Sequence, residues 1–189
     1  MVGYICLLST TIAHELGHAS AAWINNIKVD RVIIGQGQPY FTFDSGLFGE
    51  VTFHPNIVRG LTMLNRQSLR LATPNQIMLV SAAGLLVNLF LLIVSICMTI
   101  TKERWGYSFL AAVNAFMLFG NIIPRPWSDG GRLLEIMVAQ KWIVLEADWG
   151  LIIYLELWSS IITLLSLGIM MGLFLRDLIP KIEKRKLQI

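Results

Sequence analysis

Charge is scarce in this sequence. Only 14% of its 189 residues are Asp, Glu, Lys or Arg, against 55% hydrophobic, and the mean hydropathy is +0.64. That balance excludes an ordinary soluble domain, in which about a quarter of the residues are charged, and points to a multi-pass membrane protein. Cysteine is equally sparse. Cys6 and Cys97 fall in apolar stretches without a C-x-x-C spacing, which argues against a disulfide framework and predicts two buried free thiols. Internal repeats, low-complexity linkers and nucleic-acid motifs are all missing, so nothing divides the chain and no nucleic acid is expected as a partner. The formal charge of +3 comes mostly from loops and the C-terminal tail, where it suits a lipid bilayer with anionic headgroups. The N-terminal apolar stretch lacks the basic start of a signal peptide and reads as a retained span.

What the chain does have is the pentapeptide His14-Glu15-Leu16-Gly17-His18, set inside an apolar stretch at residues 2–26. On an α-helix the two histidines stand one turn apart on one face, where both imidazoles reach a single ion. Glu15 is then placed to act on a water held by that ion. Three ionisable groups within five residues of a membrane span need a shared reason, and a bound cation, Zn²⁺ by the motif, is the simplest. Ala13, Gly17, Ala19, Ala21 and Ala22 surround the motif with small side chains that let other helices approach closely.

The pattern predicts an all-α membrane protein of about four transmembrane helices, with a small β-hairpin or sheet insertion between the first and second spans. The core spans are residues 2–26, 76–100 and 107–123, an additional C-terminal span covers 150–175, and the whole of 1–189 forms one integral-membrane domain. Between them, residues 28–73 carry β-branched and aromatic runs at Val32–Ile34, Tyr40–Phe43 and Val51–Phe53, separated by glycines. A sheet edge there either holds an extended peptide or plugs the site, with Gly35–Gly49 as the candidate clamp. His54 reads as a turn histidine, and Arg59–Arg70 as a basic interfacial segment. In the second span Gly84 and Asn88 share one helical face; Asn88 either holds a substrate backbone or ties two helices together. The third span ends in Asn121-Ile122-Ile123-Pro124-Arg125-Pro126-Trp127-Ser128-Asp129-Gly130-Gly131. Its two prolines break the helix, so Asp129 either completes a metal site or caps the next helix, 130–140. Parallel first and third spans put Asp129 and the histidines at similar depth, which favours the ligand. Trp105, Trp127, Trp142 and Trp149 lie near span ends, as an aromatic belt requires. Basic clusters follow both the first and fourth spans, so charge does not orient the chain.

Taken together, HELGH at 14–18, Gly84-x-x-x-Asn88 and the N-x-x-P-x-P-x-x-D-G-G spacing of residues 121–131 resemble the site-2 protease family of intramembrane zinc metalloproteases, in the family's order. The resemblance implies that His14, His18 and Asp129 bind zinc, that Glu15 is the catalytic base, and that Asn88 and Asn121 contact or orient substrate. It implies hydrolysis of a peptide bond in or next to a transmembrane segment, with a membrane-spanning protein or peptide as substrate and the cell membrane as location. Two positions depart from the family pattern: Leu85 stands where proline usually follows the glycine, and Ser128 where leucine often precedes the aspartate. The competing reading is a catalytically inactive membrane protein of the same fold that sequesters a partner. A transporter is a weaker one, because matching half-repeats are missing.

Overall fold

The first helix, α1 (Val2–Ile24), is mostly apolar and free of proline, and it stops where Asn26 enters the left-handed region at φ 58°. Asn26 N–H then donates to the Trp23 carbonyl and Ile27 N–H to the Ala22 carbonyl, a Schellman closure that satisfies the last turn. Ile27, thrown inward by that turn, is buried and begins the core shared by helix and sheet. The computed structural model describes residues 2–102 and 105–143, with four isolated helical positions beyond them. The expected fourth span at 150–175 and the basic tail thus fall, those positions aside, outside the described residues.

Four strands follow: β1 (Val29–Gln36), β2 (Phe41–Asp44), β3 (Glu50–Phe53) and β4 (Asn56–Leu64), in spatial order β2-β3-β1-β4. The sheet is mixed, with β1 parallel to β3 while the β1–β4 and β2–β3 pairs are antiparallel. Val29, Val32, Ile34 and Val51 bury one face against Ala19 and Ala22 of α1 and Val80 of the third helix. The three expected strand runs fall on β1, β2 and β3, apart from Tyr40, which precedes β2, but β4 replaces the first half of the expected interfacial segment at Arg59–Arg70. Ile57, Val58, Leu61, Thr62 and Met63 are good strand formers, and pairing with β1 overrides the interruption by Arg59 and Gly60. The second half is a short helix, α2 (Arg66–Leu71), capped by the Asn65 side chain.

The remaining helices are α3 (Pro74–Lys102), α4 (Trp105–Ile122) and α5 (Asp129–Ala139). α3 packs against both α1 and α4, and α5 folds back against α3. The described chain is therefore mostly helical with a four-stranded sheet near its N-terminus. Among the described residues α3 alone is long and apolar enough to cross a membrane; at 29 residues it spans about 44 Å. α4 is short for a bilayer core, and the polar residues of its motif dilute the hydropathy of α1. The thiols differ from expectation as well. Both are free, but Cys6 is half-buried and Cys97 exposed.

α4 stops before Pro124, and Asn121 Nδ2 donates to the Met117 carbonyl in its last turn. Ser128 rebuilds the chain after the break. Its hydroxyl donates to the Ile123 carbonyl at 2.6 Å and accepts from Gly131 N–H and Arg125 N–H at 3.0 Å each, so it both closes the loop and N-caps α5. Gly130 lies so close to the Ile122 carbonyl that a Cβ has no space there, which fixes how tightly α5 leaves the break.

Candidate metal centre

His14 and His18 point from one face of α1 toward α3, with ring centroids 4.7 Å apart and planes nearly perpendicular. Both are buried, as is Glu15 between them in sequence. The tight turn at Ser128 delivers Asp129 from the first position of α5 to the same point. Its Oδ2 lies 3.1 Å from His14 Nε2, its Oδ1 lies 3.3 Å from His18 Nε2, and the two Nε2 atoms are 3.2 Å apart. Lone-pair atoms do not gather this closely without a proton or a cation among them. Zinc bonds of about 2.0–2.1 Å in a tetrahedron separate neighbouring ligand atoms by about 3.3 Å, close to the spacing of the two Nε2 atoms and of each from its nearer carboxylate oxygen; with one ligand atom taken from each residue, all three lie within 4.8 Å of one another. Asp129 Oδ2 is buried and accepts no hydrogen bond of good geometry, as fits an atom turned toward a cation. Burial raises the Asp129 carboxyl, but the two imidazoles beside it outweigh burial and hold it well below the usual carboxylate range.

The helix behind the histidines supplies the space and the outer contacts. Gly84 of α3 abuts both rings, and any Cβ there would overlap His18 Nε2 and His14 Cε1. Gly17 plays the matching part on α1, pressed against Val87 and the Ala83 carbonyl of α3. His18 Nδ1 donates to the Val80 carbonyl at 2.6 Å. Asn88, wholly buried, places Nδ2 3.0 Å from His14 Nδ1 and leaves Oδ1 without a partner.

Glu15 is held from the opposite side by β4. The Thr62 hydroxyl donates to Glu15 Oε2 at 2.7 Å and lies 3.1 Å from the Glu15 backbone oxygen. Gly60 sits against the same carboxylate, and a side chain there would overlap Glu15 Oε1. One turn earlier the Thr11 hydroxyl bonds the Ile57 carbonyl at 2.9 Å, so β4 is fastened along α1 at two points.

The structure thus brings His14, His18, Asp129 and Asn88 into direct contact, with Glu15 adjoining them on α1. Asn121 is not among these contacts; its Nδ2 donates to the Met117 carbonyl. His54 lies in the β3–β4 turn and its Nδ1 bonds the Gly37 carbonyl, as a turn histidine does. The glycine-rich stretch expected as a clamp contains β2, which is the sheet edge remote from β4 and Glu15. Sequence reasoning missed Thr62, Gly60 and the Val80 carbonyl. A threonine and a glycine carry no signal until β4 is known to lie on α1, and a backbone carbonyl carries none at all.

A family model described as Peptidase family M50 matches residues 2–104, more than half of the chain. The matched part contains α1, the sheet and α3, and with them His14, Glu15, His18, Gly84 and Asn88. No curated protein matches the chain.

Proposed function

The chain belongs to peptidase family M50, the site-2 protease family, and from that premise we propose that it is a zinc-dependent endopeptidase that hydrolyses a peptide bond in or next to the transmembrane segment of its substrate. The observation that carries this reading is the convergence of His14 Nε2, His18 Nε2 and the Asp129 carboxylate at 3.1–3.3 Å, with Glu15 adjoining. His14, His18 and Asp129 would hold the ion. Two neutral imidazoles and one carboxylate reduce a divalent cation to a single net positive charge, which lowers the penalty of burying it. When bound, zinc supplies Lewis acidity, lowering the pKa of water from about 15.7 to about 7 in favourable sites.

The chain's own groups do the rest. Glu15, held through Oε2 by Thr62, keeps Oε1 to take a proton from the attacking water and return it to the leaving amine. Asn121, at the broken end of α4, is the candidate substrate contact outside the ligand set. A membrane-spanning protein or peptide is the partner, and four spans in the cell membrane remain our reading of the full chain. The exposed apolar side chains Leu86, Phe90, Ile93 and Ile100 of α3 support lipid contact. The inactive-binder reading is less well supported, because zinc binding alone gives Thr62 no reason to grip a carboxylate at position 15.

Glu15→Gln removes the base while keeping the shape of the side chain. Cleavage of a single-span substrate is expected to fall by about 10²–10⁴-fold with zinc content unchanged. Full activity in that variant sinks the role of Glu15, and a wild type that holds no zinc after metal is supplied sinks the whole reading.

A further inference from the structure

If both histidines offer Nε2 to an ion, each neutral ring carries its proton on Nδ1, and in a buried site that N–H needs an acceptor. This step rests on the zinc reading above. His18 has such an acceptor: the Val80 oxygen, 2.6 Å from its Nδ1, can only accept. His14 Nδ1 faces the Asn88 carboxamide at 3.0 Å, with Nδ2 turned toward the ring and Oδ1 buried without a partner. An amide nitrogen in that position requires the proton of His14 to sit on Nε2, the atom that faces Asp129, which closes it to a cation. The two ends of a carboxamide differ only by rotation about its terminal bond, and their assignment follows the hydrogen-bonding partners. Turned over, the same side chain places Oδ1 where it accepts the Nδ1–H of His14.

The spacing on α3 supports this arrangement. Val80, Gly84 and Asn88 are four residues apart in turn, so they form one stripe along the helix. The stripe meets His18 with a carbonyl, both rings with a glycine, and His14 with a carboxamide. We propose that Asn88 is a positioning residue for His14, its side-chain oxygen accepting the Nδ1–H and fixing the tautomer that leaves Nε2 free for zinc. It does for His14 what the Val80 carbonyl does for His18. This role differs from contact with substrate, the function that the family resemblance implies for Asn88.

Two near-isosteric variants separate the possibilities. Asn88→Asp keeps an acceptor oxygen and loses the amide N–H, while Asn88→Leu keeps the shape and loses both. Each is purified in detergent beside the wild type, its helicity checked by circular dichroism, and its affinity for Zn²⁺ read by competition with a chelator. The expected result is a loss of about 10–100-fold in Asn88→Leu, with Asn88→Asp within a few-fold of wild type. Unchanged affinity in Asn88→Leu overturns the proposal, and an accompanying rise in KM assigns Asn88 to substrate instead. Affinity in Asn88→Asp that falls as far as in Asn88→Leu also overturns it, because the N–H is then what matters. If Asn88→Leu does not fold, the Asn88→Asp arm decides alone. A wild type without zinc affinity is a separate failure, that of the zinc reading itself.

Discussion

A methyl group added at Gly84 meets His18 Nε2 and His14 Cε1 at once. Flexible side chains often yield to such a contact, but these rings are held from behind by the Val80 carbonyl and by Asn88. Gly84→Ala is therefore expected to leave the helices formed and to lower zinc affinity by at least about tenfold, the range seen when groups supporting a ligand are lost. Chelator competition beside circular dichroism checks it; full zinc affinity would mean that the rings move more freely than their contacts allow. Thr62 makes a different demand. Thr62→Val keeps the shape of the side chain but leaves Glu15 Oε2 buried without its donor, and hydrogen bonds to charged groups contribute about 1.5–3 kcal/mol. Cleavage should fall by about 10–100-fold with zinc retained, and Thr62→Ser should recover most of it. A loss of zinc in Thr62→Val would instead show that β4 supports the ligand set and not the base alone.

Elements explain what could be read in the sequence and what could not. The helical pentapeptide and the glycine and asparagine four apart on α3 carry a spacing that fixes their geometry, and with the proline break before Asp129 they match the family pattern, so the convergence of His14, His18 and Asp129 was legible in the sequence. β4 was not. Its charged Arg59 and its Gly60 interrupt the strand pattern, and Gly60 is needed only because Glu15 rests on it, a contact between residues 45 positions apart. The departure at Ser128 was visible but its purpose was not. A leucine packs, whereas Ser128 gathers the Ile123 carbonyl and the N–H groups of Arg125 and Gly131 into one turn. Losing such an N-cap typically costs about 1 kcal/mol. Because the residue beside it is Asp129, Ser128→Ala should lower the thermal midpoint and weaken zinc binding together. A melting curve with and without added zinc tests this; a shift in the midpoint with unchanged zinc affinity would confine Ser128 to stability.

At the scale of the molecule, the proposed ion joins parts of the chain that are far apart in sequence. His14 and His18 lie on the first helix and Asp129 on the last described one, with the sheet, α3 and α4 between them. A ligand that binds only the folded state stabilises it by about 4 kcal/mol when its free concentration is about 1,000 times Kd. Zinc removal should therefore lower the thermal midpoint of the whole helical unit, without merely loosening one end, and Asp129→Ala should abolish that zinc-dependent shift while leaving the sheet–α1 core of Ile27, Val32 and Ile34 in place. The same unit exposes an apolar side. Only 28% of the membrane-length window of α3 is buried inside the molecule, and Phe90, at 64% exposed, lies two residues after Asn88, whose side chain is fully buried. One face of α3 thus lines the candidate metal centre while another meets the surroundings. In water that apolar face would drive aggregation; in a bilayer it is the natural lipid contact. A tryptophan at position 90, introduced by Phe90→Trp, is expected to be quenched strongly by brominated acyl chains in reconstituted vesicles, after subtraction of the native tryptophans. Absence of that added quenching would place α3 away from lipid, and with it the hydrolysis outside the membrane.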